Sequence, residues 1–158
     1  MHKMNVTVEP GKQNIILTRT FDAPRALVFK AYTDPNLISQ WWGPRKYETI
    51  VDKMEVKKGG IWRFINRGSD GQEFAFNGVY HEIAAPERLL YTFEFEGLPP
   101  GHAGIVTITF EDQNGKTLLT DKSVYQSVED RDEMAQSGME EGAAETFDRF
   151  EELLAKMK

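Results

Sequence analysis

The chain has 158 residues, of which 40% are hydrophobic and 11% aromatic, so one domain with a substantial core is expected. A net charge of −6 and a pI near 5.1 argue against a nucleic-acid-binding or anionic-membrane-binding surface. No apolar run is long enough to cross a bilayer, and the N-terminus lacks the apolar core of a signal peptide. The chain has no cysteine, which excludes disulfides and thiolate chemistry and fits a cytoplasmic location.

The opening segments predict a strand followed by two helices. Residues 1–13 are polar and predict a tail or a short edge strand, and NIILTRTF (14–21) predicts a full strand. Asp22 is a candidate cap for the helix that follows, because its carboxylate can accept bonds from free backbone N–H groups. The pair Asp34-Pro35 ends that helix and starts a second, short one, which leads to the sequence WWGP.

The middle of the chain predicts a run of short antiparallel strands. RGSDGQ and QNG indicate hairpin turns, and a loop rich in glycine and proline separates two further strands. Gly78 lies inside one predicted strand and marks either a bulge or a close backbone approach. The predicted strands lie at 47–56, 61–66, 73–84, 88–96, 105–112 and 116–125.

After residue 127 the spacing of apolar residues becomes helical. VEDRDEMAQ (128–136) predicts a short helix, and residues 139–158 predict a long terminal helix with apolar residues three or four apart. The fold class is therefore α+β, with an antiparallel sheet of about six or seven strands. One face of this sheet must be covered, and the terminal helix is the only element long enough to cover it. We expect a single domain over residues 1–158.

Strand alternation predicts which side chains face that helix. Strand 116–125 allows two alternatives, with either Leu119 and Asp121 inside or the opposite set, which includes Lys122. The start of the helix is rich in glycine and alanine where the sheet face is bulky, which indicates either close packing or a gap for a ligand. The other strands place a largely aromatic set inward: Trp62, Phe64, Phe74, Phe76, Tyr80, Leu89, Tyr91, Phe93, Phe95, Val106, Ile108 and Phe110.

Recognisable catalytic and metal-binding motifs are missing from the sequence. It contains no Gly-rich phosphate loop, zinc-ligand spacing or nucleophile elbow, so we expect neither a metal nor a cofactor. His81 is expected on the solvent side of its strand. Asp121 and Glu82 point inward only if the strand parities allow it, and a buried acid could then act as a base. With Tyr80 and Tyr91 they are the candidate catalytic side chains; the alternative for both acids is a solvated position.

Five segments, in order, resemble one known family. The first is FDAPRALVFKAYTDPNLISQWWGP; GGIWRF, DGQEFAFNGVYHEIAAPERLLYT and VTITFED follow, and SGMEEGAAETFDRFEELLA is the last. Together they are similar to the bacterial homologues of the activator of heat-shock protein 90 ATPase, a branch of the START-like (SRPBCC) superfamily, over about residues 15–154. Glu55 and Lys57 stand where the family usually has aspartate and arginine, and lysine cannot form the bidentate fork of arginine.

The resemblance implies a helix-grip fold, in which the sheet curves around the C-terminal helix and leaves a cavity between them. Members of the superfamily bind a hydrophobic or aromatic small molecule there, and a minority carry out cyclase or related chemistry. We therefore expect ligand binding. The alternatives are a cyclase- or hydrolase-type enzyme, and a chaperone-adaptor or homodimerising domain with an apolar patch around residues 98–100.

The resemblance also assigns the residues around that cavity. Plain core packing is the alternative for each of them. The expected ligand-binding residues are Trp41, Trp42, Trp62, Phe64, Phe76, Tyr80, Tyr91, Phe93, Met139, Ala143 and Phe147.

Overall fold

The structure, a computed structural model, describes residues 2–158. Over these residues eight strands and four helices form an α+β fold, as predicted. The strand number exceeds the expected six or seven because the polar N-terminal segment contributes a three-residue edge strand, which was one of its two predicted alternatives. The elements are β1 (Asn5–Thr7), β2 (Asn14–Phe21), α1 (Arg25–Thr33), α2 (Pro35–Ile38), β3 (Tyr47–Met54), β4 (Ile61–Gly68), β5 (Glu73–Ala84), β6 (Arg88–Phe95), β7 (Gly104–Gln113), β8 (Lys116–Val124), α3 (Val128–Gln136) and α4 (Met139–Met157).

The strands form one antiparallel sheet with the order β1-β2-β8-β7-β6-β5-β4-β3. Strands β3 to β8 follow one another as neighbours, so hairpin connections build most of the sheet. Strand β2 pairs with β8, whereas β3 lies at the opposite edge. The segment that contains α1, α2 and the sequence WWGP must therefore run from β2, near one edge of the sheet, to β3 at the opposite edge.

The start of α1 differs from the prediction. The helix begins at Arg25 with Pro24 at its N-cap position and no side-chain cap, so the predicted capping role of Asp22 is wrong. Because Asp22 lies too far before the helix to reach its free N–H groups, its carboxylate instead contacts His2 Nε2 at 2.8 Å and Lys116 Nζ at 3.3 Å. Asp34 does cap α2, where its carboxylate accepts a bond from the backbone N–H of Asn36 at 2.9 Å.

Gly78 marks a close approach between strands. A Cβ at this position would lie 1.8 Å from the carbonyl oxygen of Thr92 and 2.6 Å from Trp62 Nε1. Since Thr92 contributes backbone, which cannot move aside like a flexible side chain, only glycine fits here.

The bulge of β5 lies further along the strand, between Tyr80 and Glu82, where the register with β6 shifts. The shift turns Glu82 toward solvent, where its carboxylate pairs with Arg88 Nε at 2.7 Å. The inward position considered for Glu82 is therefore excluded, because the bulge breaks the alternation on which it depended. His81 is exposed, as predicted.

Helix α4 covers one face of the sheet and buries Phe147, Phe150, Leu153 and Leu154. The ring of Phe21, on β2, meets the ring of Phe150 at 5.0 Å between centroids in an edge-to-face contact. A sheet face gripped by a long terminal helix is the predicted helix-grip arrangement.

Helix α3 is fixed to the start of the chain by one buried cation. The guanidinium of Arg131 is fully buried and donates to the carbonyl oxygens of Asn14 at 3.0 Å and Glu9 at 2.8 Å. Charge-assisted bonds of this kind are stronger than neutral ones, and leaving such a cation unpaired in the interior is costly. Arg131 therefore sets the position of α3 against β2.

Candidate functional site

A cavity of about 360 Å³ lies between the sheet and the first half of α4. This volume falls within the roughly 300–1,000 Å³ of small-molecule sites. Strands β2 and β4 to β8 contribute one wall, while α1, α3, α4 and the WWGP segment contribute the other. Nine of its 22 lining residues are aromatic, so its surface is mainly apolar. Leu98 lies on its rim and remains 46% exposed.

The two adjacent tryptophans have different roles. Trp41 is buried, stacks on Phe150 with 4.2 Å between ring centroids, and donates from Nε1 to the carbonyl oxygen of Ala31 at 3.0 Å. Trp42 is half-buried and forms cavity wall, with its ring edge-to-face with Phe76 at 5.4 Å. The first tryptophan therefore closes the core, and the second separates the core from the cavity.

Arg149 holds this segment against α4. Its guanidinium donates to the carbonyl oxygen of Gly43 at 2.6 Å and to that of Gln40 at 3.1 Å. Gly43 has a φ of +86°, and a Cβ there would lie 2.9 Å from Asn66 Oδ1, so both the turn and the space require glycine. The position of Trp42 thus follows from a glycine turn and a cation on the neighbouring helix.

Eight of the eleven predicted ligand-binding residues line the large cavity. Three others, Trp62, Phe64 and Tyr80, line a second space of about 20 Å³, which is large enough for about one water molecule. Trp62 Nε1 is buried there without a hydrogen-bond partner among the described residues. Ligand contact by any of the eleven stays a prediction. The eight in the large cavity are Trp41, Trp42, Phe76, Tyr91, Phe93, Met139, Ala143 and Phe147.

One acid lies in the cavity. Strand β8 places Leu119 and Asp121 on the inner face and leaves Lys122 exposed, which resolves the two alternatives for this strand. The Asp121 carboxylate accepts a bond from Ser123 Oγ at 3.0 Å. Burial raises the pKa of Asp121 to about 6, and the bond from Ser123 lowers it only in part. The carboxyl group is therefore mainly ionised at pH 7.

Three tyrosines surround the same end of the cavity. Burial raises the pKa of Tyr32 and Tyr91, and that of Tyr125 to about 12, and the negative charge of Asp121 raises all three further. Their phenols stay protonated at neutral pH and can donate hydrogen bonds. The cavity thus joins an apolar aromatic body to a polar end that contains one carboxylate.

Several of the residues that line the cavity were not among the predicted site residues. Ser123 and Tyr125 share the strand parity of Asp121, so they would have followed once that parity was known. Tyr32, on α1, also lines the cavity and was not among the predicted site residues. Asn66 carried no signal in the sequence, because an asparagine within a strand usually faces solvent.

Residues 2–158 contain no helix that is both long and apolar enough to cross a membrane. In the same part of the chain, no three His, Asp or Glu side chains come together in a way that could hold a metal ion.

The antiparallel sheet, the long terminal helix and the cavity between them define a START-like helix-grip domain. The sequence model of one family, described as "Activator of Hsp90 ATPase homolog 1-like protein", matches residues 22–155. The chain belongs to this family, as its sequence motifs predicted.

Solved structures share the fold over nearly the whole chain. A protein from Arthrobacter aurescens has 25% identity and a TM-score of 0.88, with 96% of this chain and 91% of that chain covered. A protein from Staphylococcus epidermidis has 28% identity and a TM-score of 0.82, covering 96% and 95%. A protein from Rhodobacter sphaeroides, at 24% identity, has a TM-score of 0.89 and covers 98% and 99%. No match was found among curated proteins.

Proposed function

We propose that the protein binds a small hydrophobic, ring-containing molecule in the cavity between the sheet and α4. The observation that carries this proposal is the cavity of about 360 Å³ with largely aromatic walls at the start of the helix. A well-formed apolar pocket with a few convergent polar groups is the usual form of a small-molecule site. The family assignment supports the same reading.

Burial of the ligand surface supplies the driving force. A two-ring molecule that loses about 200 Å² of apolar surface to the cavity gains about 5 kcal/mol before the costs of association. The rings of Trp42, Phe76 and Phe93 lie 5.4 to 6.5 Å apart and are tilted or edge-to-face, so a planar guest can meet both faces and edges.

A neutral fluorescent dye tests the proposal. N-phenyl-1-naphthylamine should bind with one-to-one stoichiometry and increase its emission. Ala143→Leu, which places a larger side chain in the cavity, should abolish the increase. Ala155→Leu is the matched control, since Ala155 lies on the same helix but is exposed. Unchanged dye binding by Ala143→Leu would show that the dye occupies another site.

The polar end of the cavity favours a second candidate function, an enzyme that abstracts a proton. The Asp121 carboxylate, with its pKa raised to about 6, is suited to act as a base near neutral pH. Tyr91, whose phenol stays protonated, could donate a hydrogen bond to the oxygen of an enolate formed from a bound ketone.

Exchange of the α-protons of 2-tetralone in D₂O, followed by NMR, tests this second candidate. The wild type should accelerate the exchange and Asp121→Asn should lose the acceleration. Equal rates with and without the wild-type protein would contradict this second candidate.

An interaction role also stays a prediction. Leu98, at the centre of the predicted apolar patch, is exposed but lies on the cavity rim. Binding of a ligand and docking of a partner would therefore compete for the same side chain.

A further inference from the structure

We propose that the ligand is a hydrophobic amine whose ammonium group pairs with the Asp121 carboxylate inside the aromatic cavity. This inference rests on the proposed function and specifies the chemical class of the ligand.

Asp121 has no basic partner among the described residues. The residues that line the cavity include no lysine, arginine or histidine. Arg19 lies two residues further along the facing strand, but its guanidinium is directed to Asp148 at 2.8 Å and Glu151 at 3.7 Å on α4. Lys122, the next residue on β8, is exposed on the other side of the sheet. Within residues 2–158, the one hydrogen bond to the carboxylate comes from the neutral hydroxyl of Ser123.

Asp121 is half-buried and has no counter-ion in the described part of the chain, which disfavours its charged form, and a bound cation offsets that cost. The walls around it favour the same charge. Tyr32, Tyr91 and Tyr125 lie close enough for the charge of Asp121 to raise their pKa values, and the faces of aromatic rings attract cations. An anionic guest would meet both the carboxylate and a protein with a net charge of −6.

The groups that face Asp121 from the neighbouring elements do not reverse this preference. Tyr32 of α1, Tyr91 of β6 and Tyr125 after β8 are neutral phenols with raised pKa values. Helices α3 and α4 present Met134 and Phe147 to the cavity, and neither carries charge. Asp121 is therefore the one group lining this cavity that changes its charge between pH 5 and pH 7.5, and its pKa lies at about 6.

Three probes of similar shape and different charge test the inference. 1-Naphthylmethylamine is a cation at pH 7.5, 1-naphthalenemethanol is neutral and 1-naphthoate is an anion. Their affinities are measured by calorimetry for the wild type, for Asp121→Asn and for Glu111→Gln, which removes an exposed acid of β7. The amine should bind the wild type about tenfold or more tightly than the alcohol, and the anion should bind most weakly.

Asp121→Asn keeps the size of the side chain and should make the amine and the alcohol bind equally well. Glu111→Gln and Ser123→Ala should keep the preference, because both retain the carboxylate. In the wild type the preference should fall about tenfold when the pH is lowered from 7.5 to 5, which tests the same group without a substitution.

The outcomes separate the two proposals. Tight binding of the alcohol with no advantage for the amine overturns the amine inference and leaves the proposed function standing. A preference that survives Asp121→Asn also overturns it, since the charge would then be recognised elsewhere. If none of the three probes binds or displaces the neutral dye, both proposals fail.

Discussion

The two halves of the interface between α4 and the sheet are built differently. Under the second half, Phe150 stacks on Trp41 and meets Tyr32 at 5.4 Å, and all three side chains are buried. Under the first half, Met139 and Ala143 border the cavity. We call these the packed half and the hollow half.

The two halves of α4 therefore serve different purposes. The packed half stabilises the fold, and the hollow half leaves the space in which we propose that a ligand binds. Large side chains in close contact supply the packing that holds α4 on the sheet. Small and flexible side chains about two to three turns earlier leave the cavity open, at a cost in packing energy. The paired tryptophans lie at the border, with Trp41 in the packed half and Trp42 at the wall of the cavity.

The largest effect is expected from removing the central ring of the packed half. Phe150→Ala should lower the free energy of unfolding by about 3–5 kcal/mol, because the cavity it leaves is surrounded by fixed side chains. Phe93→Ala, in the hollow half, should cost about 2 kcal/mol or less, because its ring already borders empty space. Urea denaturation of both variants measures the contrast, and equal losses would refute the division into two halves.

Enlarging an alanine next to the packed half and another in the hollow half should give smaller and unequal effects. Ala31, on α1, is completely buried, so Ala31→Leu should destabilise the protein by about 1–3 kcal/mol through overpacking. Ala143→Leu extends into the cavity and should change stability by less than about 1 kcal/mol. Thermal or urea unfolding checks both, and a large loss for Ala143→Leu would mean that the start of α4 is more tightly packed than its cavity indicates.

The smallest effect concerns the acid of the hollow half. The pKa of Asp121 is raised from 3.8 to about 6 in the folded state, so its ionisation disfavours folding. The carboxyl group imposes almost no penalty at about pH 3, where it is mainly protonated in both states. The penalty grows as the pH rises from 4 to 6 and is constant above that window.

Asp121→Asn should therefore become more stable than the wild type by on the order of 1–2 kcal/mol as the pH rises to 7, and should lose that advantage at about pH 3. Urea denaturation at several pH values measures the difference. Glu111→Gln, at an exposed position, is the control and should show no such trend. A flat difference for Asp121→Asn would mean that its carboxylate is well hydrated in the folded protein.

The periodic spacing of apolar residues in the sequence was sufficient to predict the architecture. The strands and the long helix followed from alternation and helical spacing, while the errors arose where short-range features decide. Asp22 does not cap α1, because Pro24 takes the N-cap position. The bulge after Tyr80 turns the side chain of Glu82 to the opposite face of the strand. Neither the exact start of a helix nor a single inserted residue leaves a periodic trace.

The site was less predictable than the fold. Alternation along a strand predicts which face of the sheet a side chain lies on, but not which of the spaces on that face it borders. Trp62, Phe64 and Tyr80 face inward as predicted, yet they lie beside the 20 Å³ space and not the large cavity. Their place depends on how far α4 and the WWGP segment extend along the strands, which no local pattern encodes. Asp121 stayed ambiguous because leucines at 118 and 119 give both faces of β8 an apolar residue.

The indole of Trp42 borders both the 20 Å³ space and the 360 Å³ cavity, together with Tyr32, Tyr91 and Phe93. The four rings therefore form the partition between the two spaces. A rotation of these side chains, with the backbone in place, would join the smaller space to the larger one. The length of the guest that the proposed site could hold would then depend on the rotamers of this aromatic partition.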